Sequence, residues 1–197
     1  MKIGLFFGSF NPIHMGHLIL ARYWLNETDL SQIWFVVSPH NPHKSSGELA
    51  SIEDRLVMAR LAVANEPRIQ VSDIELSLPR PSYTIQTLEQ LKQSYSGAFW
   101  AILLGADTAL GLPTWREGKR ILSEWEIWVY PRQGVSLDKL PQAARLRTFP
   151  EAPRIDLSAT QIRNYRAMQK SICYLVPSAV ERYILEKGLY ASSVTTP

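Results

Sequence analysis

Gly8-Ser9-Phe10-Asn11-Pro12-Ile13-His14-Met15-Gly16-His17 stands directly behind an apolar run from Ile3 to Phe7. The run has the make-up of a buried strand, and the glycine and proline behind it punctuate a turn into a helix that begins near His14. Two imidazoles three residues apart fall on one face of the first helical turn, beside main-chain N–H groups that lack partners within the helix. A glycine lets an anion approach the main chain, a helix terminus carries partial positive charge, and imidazoles donate hydrogen bonds to oxygens that gain negative charge. That combination suits a phosphate, with Gly8, Ser9 and Phe10 as candidate phosphate-binding residues beside the candidate catalytic pair His14 and His17. Neither a Gly-Lys-Ser/Thr loop nor a Gly-x-Gly-x-x-Gly turn is present, so the better-known phosphate loops do not account for it.

A second anion-directed segment lies far downstream, Asp156-Leu157-Ser158-Ala159-Thr160-Gln161-Ile162-Arg163. Ser158 and Gln161 have the Ser-x-x-Gln spacing of a capping box, which puts Ser158 at a helix N-cap and Arg163 in the first turns. Two hydroxyls, a forked guanidinium and free N–H groups suit the outer phosphates of a triphosphate, which makes Ser158, Thr160 and Arg163 candidates for holding them.

The elements that must position these groups follow from periodicity. Strands are predicted over Lys2–Phe7, Gln32–Ser38, Arg68–Ser72, Phe99–Leu104 and Glu126–Tyr130, and helices over His17–Asn26, Ile52–Asn65, Thr84–Ser94 and Lys119–Ser123. Strands separated by helices imply parallel pairing through right-handed crossovers, hence an α/β fold with a doubly wound parallel sheet. Ligands then bind at the carboxyl ends of the strands where strand order reverses, the place of the loop after the first strand. The stretch from Pro131 to Pro153 reads as a variable connection with a weak helical patch near Leu137–Arg147. A last helix starts at Pro177 or Ser178 and stops at Gly188, so the C-terminal part reads as a small helical annex within one domain spanning residues 1–197.

The first motif resembles the HxGH signature of the nucleotidylyltransferase superfamily, α/β enzymes that move a nucleotidyl group from a nucleoside triphosphate to a phosphate acceptor. The second is similar to that superfamily's Ile-Ser-Ser-Thr-x-Ile-Arg segment, with Leu157 and Ala159 as departures. Between them, Pro39-His-Asn-Pro42-His-Lys44, Arg55 and Met58, Arg80-Pro-Ser-Tyr83-Thr84-Ile-Gln-Thr-Leu88, Leu104-Gly105-Ala-Asp107 and Leu112-Pro-Thr-Trp115 recur in the order of one branch. Together these residues resemble the bacterial nicotinate-nucleotide adenylyltransferase family, from Lys2 to about Tyr190 and more weakly between Gly134 and Arg154. The resemblance implies a Rossmann-like fold and a reaction joining ATP to nicotinate mononucleotide, giving nicotinate adenine dinucleotide and pyrophosphate in NAD biosynthesis. It implies His17 at the α-phosphate, His14 beside it, and Arg163 with Ser158 and Thr160 on the departing phosphates. Mg2+ would accompany the ATP, held by phosphate oxygens and water rather than by a protein carboxylate cage. On the acceptor side it implies Trp115 stacked on the pyridine ring, Thr84 at the nicotinate carboxylate, Lys44 over the mononucleotide phosphate and Asp107 at a ribose hydroxyl. Ser9 and Asn11 stand where many relatives carry glycine and aspartate.

The chain has 197 residues, 46% hydrophobic and 20% charged, which is ordinary globular material. A net charge of +3 suits polyanions without distinguishing nucleotides from nucleic acid, and no basic block argues for the latter. No apolar stretch reaches a membrane span, and the N-terminus lacks the form of a secretory leader, so neither membrane nor secretion is expected. Cys173 is the sole cysteine, read as a small buried hydrophobe, and it leaves no internal disulfide, in keeping with a reducing cytoplasm. The residues from Ala191 to Pro197 are small and polar enough to fray. Homo-oligomerisation stays open, as does the acceptor: the amide mononucleotide and phosphopantetheine are the near alternatives. A remote one is a metal-binding or regulatory module, because the histidines fall in two pairs of equal spacing, His14/His17 and His40/His43.

Overall fold

Strands that alternate with helices find both sheet faces covered, so successive residues of one strand enter two different cores. The computed structural model, which describes residues 1–39 and 49–192, is built this way. Its strands are β1 (Lys2–Gly8), β2 (Gln32–Val37), β3 (Ile69–Ser72), β4 (Phe99–Gly105), β5 (Glu126–Tyr130) and β6 (Leu146–Thr148). Its α-helices are α1 (Met15–Glu27), α2 (Ile52–Val63), α3 (Thr84–Ser94), α4 (Ala106–Leu110), α5 (Gly118–Glu124), α6 (Ala159–Ala167) and α7 (Ser178–Glu186). Sheet order is β3-β2-β1-β4-β5-β6, with neighbours paired in parallel, and the direction of winding reverses between β1 and β4. The loops behind β1 and β4 therefore flank the switch point, as the doubly wound reading requires.

Phe6, Phe35, Leu103 and Trp128 point into the core shared with α1, α2, α6 and α7, whereas Leu5, Trp34, Ile102 and Ile127 point into the core under α3, α4 and α5. The C-terminal helices are not an appendage to the sheet. Ile162, Val180 and Ile184 are fully buried in the first of these cores, so α6 and α7 are fixed to the same face as α1. Among the described residues no helix is long and apolar enough to cross a membrane.

Three expectations need correction. The helical patch at Leu137–Arg147 is only a 3-10 turn at Leu137–Lys139, followed by β6. This edge strand of three residues, Leu-Arg-Thr, is too short and polar to show alternation, and its Leu146 packs on the second core. Cys173 is exposed, because the buried places in its turn go to Ile172 and Val176 while Tyr174 adopts a left-handed φ of 64°. The capping box of α6 is half formed: Ser158 Oγ accepts from the Gln161 N–H at 3.1 Å, but the Gln161 amide turns to Tyr165 Oη at 3.3 Å. Elsewhere the helix ends move by a few residues, α1 beginning at Met15 rather than His17 and α2 ending at Val63 rather than Asn65. Lys44, His40, His43 and the last five residues of the tail lie outside the described residues.

Candidate active site

Directly behind β1 the chain makes a tight corner at Phe10, whose φ of 46° is left-handed, and continues through a cis Asn11–Pro12 bond. The corner turns the Phe10 ring inward, where it is 3% exposed and meets Phe35 and His17 edge-on at centroid distances of 5.1 and 5.0 Å. A Cβ at Gly8 would lie 3.0 Å from the same ring. Glycine at position 8 thus makes room for an aromatic floor beneath His17.

His14 is the N-cap of α1, and its ring stacks on that of His17 with centroids 3.7 Å apart. The His14 main-chain N–H donates to His17 Nδ1 at 3.2 Å. A nitrogen that accepts carries no proton, so the His17 proton sits on Nε2. The first-turn N–H groups are less available than the sequence suggests, since Met15 N–H donates to the Leu175 carbonyl at 2.9 Å and His17 N–H to the His14 carbonyl at 3.0 Å. The imidazoles, more than the helix terminus, are what this corner offers an anion.

Burial, and after it the nearby Arg132 guanidinium, hold the His14 imidazole down at about 4. It is neutral at pH 7. An unfolded chain protonates it near 6.5, so unfolding takes up a proton between about pH 6.5 and 4, and stability falls as pH falls through that window. Denaturant unfolding of the wild type at pH 7 and pH 5 is expected to show this slope, and His14→Gln to flatten it; equal slopes would show that the imidazole titrates normally.

The two distant motifs meet at Asn11. Arg163 Nη1 donates to the Asn11 carbonyl at 3.0 Å and Nη2 to Thr160 Oγ1 at 3.3 Å, so α6 presents its first turn to the corner that holds His14 and His17. Asn11 Oδ1 accepts from Tyr190 Oη at 2.8 Å and from the Ala50 N–H at 3.0 Å. Under it lies Arg55, 1% exposed, which donates to the carbonyls of Ser9 and Ser38 at 2.7 Å, Pro39 at 2.8 Å and Ala50 at 3.2 Å. One buried cation thereby joins the loops behind β1 and β2.

On the other side of the switch point, Asp107 is exposed in the first turn of α4, with Arg132 Nε 3.7 Å from its Oδ1. Arg132 also reaches the Ile155 carbonyl at 3.5 Å. These residues line a cavity of about 950 Å3 with Leu20, Tyr130, Arg154 and Asp156, large enough for a nucleotide. Thr84 is half-buried as the first residue of α3, whose N-cap is Tyr83. Glu75 Oε2 and Oε1 accept from Ser82 and Thr87, both at 3.1 Å, and pin this terminus from either side. Trp115 is half-buried behind the 3-10 turn at Leu112–Thr114 and packs on the second core without being enclosed by it.

Residues 5–165 match the model of the cytidylyltransferase-like family, a span that includes both the histidine pair and Arg163. A probable nicotinate-nucleotide adenylyltransferase of Cytophaga hutchinsonii is 43% identical over 192 residues, 98% of this chain and 100% of that one. The chain belongs to the nicotinate-nucleotide adenylyltransferase family. A second such relative, from Bacteroides fragilis, is 44% identical over 94% of this chain and 92% of its own. The fold is that of the Plasmodium falciparum nicotinic acid mononucleotide adenylyltransferase complexed with NaAD, at a TM-score of 0.80 and 22% identity over 96% of this chain and 97% of that one. In this adenylyltransferase two arginines at the site escape a reading of types and spacing. Arg132 hides in a Pro-Arg-Gln-Gly stretch that looks like linker, and its only signal is its place two residues past the carboxyl end of β5. Arg55, which the resemblance singles out, sits in the first turn of α2 behind Glu53 and Asp54, and its burial is what residue type alone does not give.

Proposed function

We propose that this chain catalyses attack of the nicotinate mononucleotide phosphate on the α-phosphate of ATP, giving nicotinate adenine dinucleotide and pyrophosphate. The observation that carries the assignment of roles is the Arg163 bond to Asn11, which draws the hydroxyl-bearing start of α6 to the His14/His17 corner. The acceptor phosphate is anionic and nucleophilic at neutral pH, so the protein needs no covalent nucleophile, and positioning with charge neutralisation supplies the rate. His17 Nε2–H donates to the α-phosphate oxygens as charge grows, and neutral His14 donates beside it. Arg163, Ser158 and Thr160 hold the β and γ groups as they leave, and Arg132 adds a second guanidinium from the cavity wall. Mg2+ enters with the triphosphate. The side chains grouped here are imidazoles, hydroxyls and guanidiniums, so that ion would be held by phosphate oxygens and water.

Thr84 and Trp115 bracket the place for the pyridine ring, with Asp107 at a ribose hydroxyl and Lys44 over the acceptor phosphate. The reading sets the reaction in the cytoplasm. Trp115→Ala is expected to raise KM for the mononucleotide about tenfold with a smaller change in kcat, since stacking and burial hold substrate and transition state alike. An unchanged KM removes the stacking role. The assignment as a whole is tested by incubation with ATP, Mg2+ and each mononucleotide, with the product identified by mass. The acid dinucleotide with stoichiometric pyrophosphate is expected; ATP hydrolysis without a dinucleotide would overturn the assignment.

A further inference from the structure

Two arginines follow Trp115 within five residues, and their surroundings differ. Arg120 is surrounded by carboxylates, Glu89 at 2.6 Å, Glu124 at 2.8 Å and Glu117 at 3.1 Å, which consume its donors and tie α5 to α3. Arg116 has no ion pair among the described residues. Its guanidinium lies over the Tyr83 ring, 4.5 Å from the centroid, a contact that fixes the cation through its face and leaves its edge donors unclaimed. Tyr83 immediately precedes Thr84, so the residue after Trp115 rests on the residue before Thr84.

The loop carrying it is closed on itself. Trp115 N–H donates to the Leu112 carbonyl at 3.0 Å, Gly118 N–H to the Trp115 carbonyl at 2.9 Å, and Thr114 Oγ1 to the Gly111 carbonyl at 2.7 Å. Glu117 takes a left-handed φ of 53°, and any Cβ at Gly118 would collide with the Leu112 carbonyl. A fixed loop that presents an aromatic plane followed by an unneutralised cation suits a flat ring bearing an anionic substituent. Resting on the reaction proposed above, we infer that Arg116 is a specificity residue: it reads the negative charge on the pyridine substituent and favours the acid mononucleotide over its amide. The amide is isosteric, so a hydrogen-bonding helix terminus alone separates the two weakly, whereas a cation distinguishes a carboxylate from a neutral group directly.

The test is the ratio of kcat/KM for nicotinate mononucleotide to that for the amide, measured on wild type, Arg116→Gln and Arg116→Lys. Because Arg116 is exposed, neither variant should alter folding, and thermal unfolding checks this. Arg116→Gln is expected to lower the ratio about tenfold, the size of one charge-assisted hydrogen bond, and Arg116→Lys to lower it less because the charge remains. An enzyme that makes the acid dinucleotide with an unchanged ratio in Arg116→Gln overturns the inference while leaving the proposed reaction intact. A wild type that makes no dinucleotide from either substrate overturns the reaction instead.

Discussion

Alanine in place of His17 is expected to lower kcat by about two to three orders of magnitude, the usual loss when one preorganised donor to a developing oxyanion is removed. ATP affinity should change by less than about threefold, because the contact strengthens in the transition state and contributes little to ground-state binding. The geometry also grades the substitutions. Since His17 Nδ1 is occupied as an acceptor from the His14 N–H, the donor proposed for the phosphate is Nε2. A glutamine can place its amide nitrogen near that position and an asparagine cannot. His17→Gln should therefore retain more activity than His17→Asn, and the opposite order would show that Nδ1 faces the phosphate.

Arg55→Met is expected to have the largest effect on stability. The guanidinium is buried, and its donors satisfy the carbonyls of Ser9, Ser38, Pro39 and Ala50. Methionine fills similar space but leaves those acceptors without their donor, the buried Ser9 carbonyl above all. Leaving buried acceptors unsatisfied costs about 1–3 kcal/mol each, so a loss of about 3 kcal/mol is expected. For a chain of this size that corresponds to a fall in Tm of roughly 6–12 °C. Arg55→Lys keeps the charge but cannot fork to carbonyls on two loops, so it should lie in between. A Tm equal to that of the wild type in Arg55→Met would mean that the loops behind β1 and β2 are held by their other contacts. Both variants are also expected to lose activity with the loop geometry, and residual activity at low temperature separates that loss from unfolding.

Much of this architecture was legible in the residues because it rests on local rules. Apolar runs of strand length between helical patterns place the β1 to β5 sheet and put the loop behind the first strand at the reversal of strand order, while the identity of β4 as its neighbour there comes from the structure. The pairing of the histidine motif with the Ser158 segment was accessible only through resemblance, since 152 residues separate Arg163 from the Asn11 carbonyl it bonds. What stayed hidden depends on tertiary context. A single exposed guanidinium over Tyr83 and a buried one beneath Ser9 belong to the same residue type, and no local pattern separates them. The floor of Phe10 under His17 is likewise invisible, because it needs a left-handed backbone at a residue that seldom adopts one. The strand β6 failed on length, three residues being below what alternation can reveal.

The central claim is that the imidazoles behind β1 and the Ser158, Thr160 and Arg163 cluster at α6 act on one triphosphate. A crystal structure with a non-hydrolysable methylene analogue of ATP and Mg2+ measures this directly. The account predicts His17 Nε2 at hydrogen-bond distance from an α-phosphate oxygen, with Arg163 bonded to the β or γ oxygens of the same molecule. A triphosphate that touches one of the two groups and leaves the other facing solvent would contradict it.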